Sequence, residues 1–161
     1  MTIRAPAPVD HAAIREVLLA AFPGPGEADR VEQLRADGEA AIELVAEDDG
    51  RIVGHILFSP MQAPFRALAL APLAVARDRH SQGIGSALIE AGHEIAREEG
   101  WDAIFVLGDP AYYGRFGYDL ALAAGFESPY AGPHFMALSL AGALPTRQGS
   151  LAYAPAFAAL G

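Results

Sequence analysis

Apolar residues recur at helical spacing at Ile14, Val17, Leu18 and Ala21, which predicts an amphipathic helix over "HAAIREVLLAAF" with Asp10 as its N-cap. Upstream, "TIRAP" reads as a short edge strand stopped by Pro6 and Pro8. The "PGPG" at 23–26 breaks the chain, and a more polar helix is predicted over "EADRVEQLRAD", ending before Gly38. The period then changes. "AIELVAE" and "RIVGHILFSP" flank "DDG", a hairpin signal, and residues 66–76 form an almost wholly apolar run, as a central strand covered on both faces requires. Pro72 cannot donate to a ladder, so a bulge or a break in pairing is expected there.

Residues 83–99 return to helical spacing, with Ile84, Ala87, Leu88, Ala91 and Ile95 on one stripe and Glu90, Glu94, Arg97 and Glu98 facing away. Gly100 is the expected stop, and "WDAIFVLG" reads as a buried strand, so strand–helix–strand predicts a right-handed parallel crossover. A short helix over "PAYYGRF" and a late strand over "HFMALSL" follow. The tail "LPTRQGSLAYAPAFAALG" is apolar but interrupted by prolines, and is expected to pack on the domain as an extension. Its Leu151, Tyr153 and Phe157 suit the protein's own sheet or a second copy in a homodimer. The chain shows no internal repeat and no second domain.

Composition narrows the function classes. With 161 residues, 52% hydrophobic and 19% charged, the chain can bury one real core. It has no cysteine, so disulfides, thiolate metal sites and an acyl-cysteine intermediate are excluded. No apolar run approaches a bilayer span and the N-terminus has no signal core, so a cytoplasmic protein without a membrane partner is expected. The net charge of −9 leaves no basic stripe for nucleic acid and suits a cationic amine substrate. The five histidines lie without metal-ligand spacing, so no metal is expected.

The chemistry concentrates at "RHSQGIGSALIEAG", residues 79–92. Glycines at a helix start either let an anion reach the free first-turn amides or serve a tight turn and close packing. On the first reading the donors are the amides of Gln82, Gly83, Ile84, Gly85 and Ser86, with the Ser86 hydroxyl in addition. A Walker loop is excluded because no lysine exists, and a dinucleotide fingerprint because position 88 is leucine. Ser81 and Ser86 lack the surroundings of a nucleophile elbow.

"LAVARDRHSQGIGSALIEAG" with "GDPAYYGRFGY" resembles the acetyl-CoA-binding and C-terminal motifs of the GNAT-superfamily N-acetyltransferases, in particular the YhbS-like branch, over about residues 2–140. The resemblance implies an α/β (α+β in some schemes) three-layer fold: a mixed, mostly antiparallel sheet splayed at its central parallel pair, with helices on both faces. It implies an acetyltransferase domain over 1–141, an extension over 142–161, and acetyl-CoA as co-substrate. The backbone of Leu73, Ala74 and Val75 would pair with the pantetheine arm, and Ser81 to Ser86 would hold the diphosphate. His80 stands where the family has glutamine or arginine, and Arg79 beside it can supply the charge. Tyr113 matches the tyrosine that protonates the departing thiolate, whereas Tyr112 falls to the core or the substrate wall. The implied reaction is direct attack of a primary amine on the thioester through a tetrahedral intermediate. A small molecule, a peptide N-terminus or a lysine side chain could each supply that amine. The other reading is a non-catalytic acyl-CoA sensor or regulatory module. Glu43, His55, His134 and water are the candidates for the general base.

Overall fold

The computed structural model describes residues 1–160; residue 161, the last of the expected extension, lies outside the described residues. Strand β1 is Thr2–Arg4, helices α1 and α2 are His11–Ala21 and Gly26–Ala36, and β2, β3 and β4 are Ile42–Asp48, Arg51–Met61 and Ala67–Val75. Helix α3 (Ile84–Glu98) and β5 (Ala103–Leu107) complete the crossover. Then follow α4 (Pro110–Tyr113), extended by a 3-10 turn at Gly114–Phe116, and α5 (Leu120–Ala123). The last elements are β6 (Phe126–Glu127), β7 (Phe135–Ser139), β8 (Gly149–Ser150) and α6 (Pro155–Leu160).

Six strands form one sheet in the order β1-β2-β3-β4-β5-β7, antiparallel except for β4 and β5. The β2–β3 hairpin turns at Asp49 and Gly50, both at positive φ (51° and 73°), as a two-residue turn of matching twist requires. Alternation sends successive side chains to opposite faces. Ile56 and Phe58 pack under α3 with Leu88, whereas Leu57 packs under α1 and α2 with Leu18 and Leu34. The fold is thus the mixed, mostly antiparallel sheet between two helical layers that the motifs implied.

The bulge at Pro72 is present. Ile56 faces Leu73 but Phe58 faces Leu70, so β4 carries one residue more than its partner at Ala71 and Pro72. On its other edge β4 pairs with β5 only through Ala67, Leu68 and Ala69, after which the parallel strands part. That divergence at the centre of the sheet opens the site.

Three expectations are corrected. Asp10 is not a hydrogen-bonding cap of α1: its carboxylate turns back to the Ala7 amide (2.7 Å) and to Arg4 (2.7 Å), closing a 3-10 turn at Pro8–Asp10. The buried face of α3 is rotated from the expected stripe and includes Ile89, Gly92, His93 and Ala96. Gly92 is required because a Cβ there would strike the Phe58 ring, so the helix sits closest to the sheet where its side chain is smallest. Finally, α5 and the short pair β6–β8 were not anticipated. They cover the Phe105 face together with Leu151 of the tail, which is bridged through Gln62 and Ala152.

His93 accepts or donates a hydrogen bond with the Tyr118 hydroxyl at 2.8 Å, depending on its tautomer, deep under α3. Burial, assisted by the Arg97 charge, pushes its pKa down to about 4. The unfolded chain therefore binds more protons than the folded one from about pH 6.5 down to about pH 4, so His93's contribution is complete above that window and is lost as pH falls through it. The loss is on the order of 3 kcal/mol. Urea midpoints should fall between about pH 7 and about pH 4.5, and His93→Gln, which keeps a hydrogen-bonding group for Tyr118, should make that fall shallower.

Candidate active site

The divergence of β4 from β5 leaves β4 with a free edge. The Ala76 amide donates to the Val53 carbonyl at 2.8 Å, which fixes the alternation of the antiparallel ladder. Leu73 and Val75 are then the non-hydrogen-bonded partners of Ile56 and Gly54, and their own amide and carbonyl groups point away from β3. Ala74, paired with His55, directs its backbone groups to β3 and its side chain into the core beneath α1. Of the three strand residues expected to offer backbone groups, Leu73 and Val75 face the opening and Ala74 does not.

The loop after β4 curls back to the same edge. Ser81 and Gly83 take positive φ (65° and 78°), and Gly83 caps α3. The first bond of the helix runs from the Ala87 amide to the Gly83 carbonyl at 3.0 Å, so the amides of Ile84, Gly85 and Ser86 have no acceptor within the helix. They point into a cavity of about 600 Å³ between the loop and the β4 edge. Leu73, Val75, His80, Ser81 and the helix start line it, together with Arg79 and Arg115. Gln82 is exposed and its side chain does not line the cavity.

Gly85 forms the cradle. A Cβ there would lie 2.7 Å from the Tyr112 hydroxyl and 3.7 Å from Val75, so glycine keeps the floor open between helix and strand. The cavity combines free amides, the positive end of a 15-residue helix and two guanidinium groups, which together suit a diphosphate. The His80 ring stands 3.0 Å from the Val75 carbonyl, one of the outward groups of the edge. Arg79 lies 3.5 Å from Asp48 and 3.7 Å from Asp78, so its charge is shared with two carboxylates and only partly available to a ligand.

The short helix α4 borders the cavity. Asp109 caps it, accepting from the Ala111 amide at 2.9 Å. Tyr112 reaches the glycine loop, and Arg115 lies over its ring at 5.0 Å. Tyr113 turns instead across Gly108, just beyond β5, and meets Tyr112 and Tyr118 edge-on at 5.0 and 5.8 Å. Burial, with Tyr112 adding, pushes the Tyr113 phenol up to about 12, so at neutral pH it is a proton donor and not a phenolate. The aromatics of this segment thus divide between the glycine loop and the end of β5.

The candidate bases separate. Glu43 receives the Arg35 guanidinium at 2.6 Å and the His55 ring at 2.7 Å. Burial alone would raise the Glu43 pKa, but the hydrogen bonds from His55 and Arg35 outweigh it and hold it at about 2. His55 is fully buried and burial lowers its pKa, so it is neutral and donates to Glu43 through Nε2. Glu43 is committed to a buried ion pair with Arg35 under α2, and the neutral His55 to a hydrogen bond with Glu43. Glu43→Gln should therefore cost about 3 kcal/mol of stability in urea denaturation, by leaving Arg35 without its counter-charge. The same variant should keep its kcat within about twofold. His134 is exposed, and its carbonyl accepts from the Gly108 amide at 2.9 Å.

A second cavity, of about 480 Å³, opens on the helical face covered by α1 and α2. Its floor is Leu70, Ala71 and Pro72 of β4 and Leu107 of β5, the residues at which the two strands have parted. Its walls are Glu27 and Arg30 of α2, Tyr130, and Tyr153 and Phe157 of the tail. Sequence alone does not single out Tyr130, Tyr153 and Phe157 as walls of such a site. A larger groove of about 700 Å³ lies between α1 and the β2–β3 turn and adjoins the anion cavity through Ala76 to Asp78. Most of its charges pair within it, Arg4 with Asp10 and Glu47, Arg51 with Asp78.

Comparison with known proteins bears on the family and the fold. Residues 11–118 match the model of the acetyltransferase (GNAT) family. The chain is 39% identical over 125 residues to the uncharacterized N-acetyltransferase YhbS of Escherichia coli K12, covering 75% of each chain. The crystal structure of the Escherichia coli YhbS protein in complex with CoA superposes with a TM-score of 0.91 at 34% identity, covering 98% of this chain and 91% of that one. A GNAT family acetyltransferase from Brucella melitensis in complex with acetyl-CoA gives 0.82 at 35% identity, covering 97% of both.

Proposed function

The chain belongs to the acetyltransferase (GNAT) family and is an acetyl-CoA-dependent acyltransferase, and we propose that it transfers the acetyl group directly to a primary amine at the parting of β4 and β5. The observation that carries this reading is the junction of two half-sites on one strand. Leu73 and Val75 line the anion-binding cavity, Leu70 to Pro72 line the aromatic one, and the free edge of β4 runs between them. Acetyl-CoA supplies the activated acyl group.

The amides of Ile84, Gly85 and Ser86, with Arg79 and Arg115, bind the diphosphate. The outward backbone groups of Leu73 and Val75 hold the pantetheine arm, and an amide of this edge polarises the thioester carbonyl. The amine nitrogen bonds to the carbonyl carbon and the carbon–sulfur bond breaks. The ammonium first loses one proton to solvent; after attack the sulfur takes its proton from the Tyr113 hydroxyl, and the second proton shed by the nitrogen returns through solvent to the Tyr113 oxygen. His80 releases the Val75 carbonyl to the arm or shares it, so His80→Ala should change the acetyl-CoA dissociation constant by less than about tenfold in a calorimetric titration. A cytoplasmic location fits this co-substrate, and among the described residues no helix is long and apolar enough to cross a membrane.

A free-thiol assay over a panel of amines tests the reading: CoA should be released only when an amine is present. Binding of acetyl-CoA with no release on any amine would favour the sensor.

A further inference from the structure

The aromatic cavity carries more information than an amine alone needs. Arg30 lies with its guanidinium carbon 4.6 Å above the Phe157 ring, which fixes the side chain by a cation–π contact. Its Nε is buried and has no hydrogen-bond partner, and among the described residues Arg30 makes no ion pair. Glu27, one turn earlier on α2, lines the same cavity, yet no contact within ion-pair distance joins the two. Opposite charges thus face one small space without neutralising each other. A buried donor left unpartnered costs stability, so a cation held this way is placed for an incoming acceptor group.

The remaining surface is flat and apolar. Tyr130 and Tyr153 meet edge-on at 4.9 Å and Tyr153 and Phe157 at 5.0 Å, forming a continuous aromatic wall. Burial raises the Tyr153 phenol, so the wall is uncharged. At the floor Leu107 is 49% exposed, an apolar side chain left open where the acyl group would arrive. A volume of about 480 Å³ suits a small molecule.

We propose that the acceptor is a small amine bearing its own carboxylate on an apolar or aromatic body, an amino-acid-type zwitterion, with Arg30 as the carboxylate-binding and specificity-determining residue. This rests on the acetyl-transfer reading of the same cleft. The carboxylate takes the Arg30 guanidinium in paired hydrogen bonds, the body lies on Tyr153 and Phe157, and Glu27 attracts the ammonium. A decarboxylated or amidated analogue would leave Arg30 unpartnered and bind more weakly.

The test compares matched acceptors in a thiol-release assay. The panel holds phenylalanine, tryptophan, leucine and methionine, apolar amino acids with the amine further from the carboxylate, and the amide and decarboxylated amine of each. Acetyl-CoA binding is titrated in parallel. The expected result is a kcat/KM at least tenfold higher for a carboxylate-bearing acceptor than for its amide. Arg30→Gln should remove that preference with unchanged acetyl-CoA binding and unfolding midpoint, and Arg30→Lys should restore part of it. Equal or better use of the amides and decarboxylated amines would overturn the proposal, as would acetyl-CoA binding with no release on any carboxylate-bearing amine. Failure to bind acetyl-CoA would instead overturn the acetyl-transfer reading beneath it. If Arg30→Gln lowers the unfolding midpoint, the amide-to-acid preference of the unaltered protein decides alone.

Discussion

Tyr113→Phe is expected to lower kcat about 10³-fold, or roughly 4 kcal/mol in the barrier, while leaving the acetyl-CoA dissociation constant within about twofold. The reasons are local. The ring keeps its packing across Gly108 and against Tyr118, so the fold and the cavity persist. Only the hydroxyl is lost, and with it the proton that the departing sulfur would take. A phenol held at about 12 stays protonated throughout the neutral range, so the unaltered enzyme should show no loss of activity from this group up to about pH 10. Tyr112→Phe is the informative companion, because Tyr112 reaches the glycine loop and not the end of β5. It should weaken acetyl-CoA binding severalfold and leave kcat nearly unchanged. The opposite pattern would assign the acid to Tyr112.

The second large effect is at the loop. Gly85→Asp should weaken acetyl-CoA binding about 10³-fold, because two or three charge-assisted hydrogen bonds from the first-turn amides would be replaced by like-charge repulsion. The same carboxylate at the start of α3 is favourable to the helix itself, so the unfolding midpoint should hold or rise slightly. Loss of binding with gain of stability is a combination that general disruption cannot produce. Gly85→Ala separates bulk from charge. Its Cβ meets the far end of the Tyr112 side chain, which can swing aside, so a loss of less than about tenfold is expected in calorimetry.

The anion half of the site was legible in the sequence and the acceptor half was not, for a physical reason. A diphosphate is bound mainly by backbone, and backbone access leaves its trace in glycines at fixed spacing: Gly83 at positive φ and Gly85 facing the strand. Pro72 likewise announced the bulge, since proline cannot complete the ladder. The candidate acceptor cavity is assembled from α2, the bend of β4, Tyr130 and the tail, which are distant in the chain, and each residue is ordinary in its own segment. Arg30 reads as one of several polar positions on a surface helix until Phe157 is seen beneath it.

Errors within the fold have similar causes. Helical spacing located α3 but misplaced its buried face, because the depth of packing is set by Gly92 against Phe58 and by the His93–Tyr118 pair, neither of which is a hydrophobic signal. Asp10 stands in the position of a cap, yet Arg4, six residues away, draws its carboxylate to the other side. Glu43 and His55 are candidate bases by residue type and by their place on the two strands before β4. Burial commits Glu43 to an ion pair with Arg35 and the neutral His55 to a hydrogen bond with Glu43.

The most direct test is to incubate the protein with acetyl-CoA and the amine panel, following free thiol and the masses of both amine and protein. Direct transfer requires thiol release that depends on the amine, acetylated amine in equal amount, and no acetyl group on the protein. Tight binding of acetyl-CoA without amine-dependent release, or an acetylated protein that passes its acetyl group on, would contradict it.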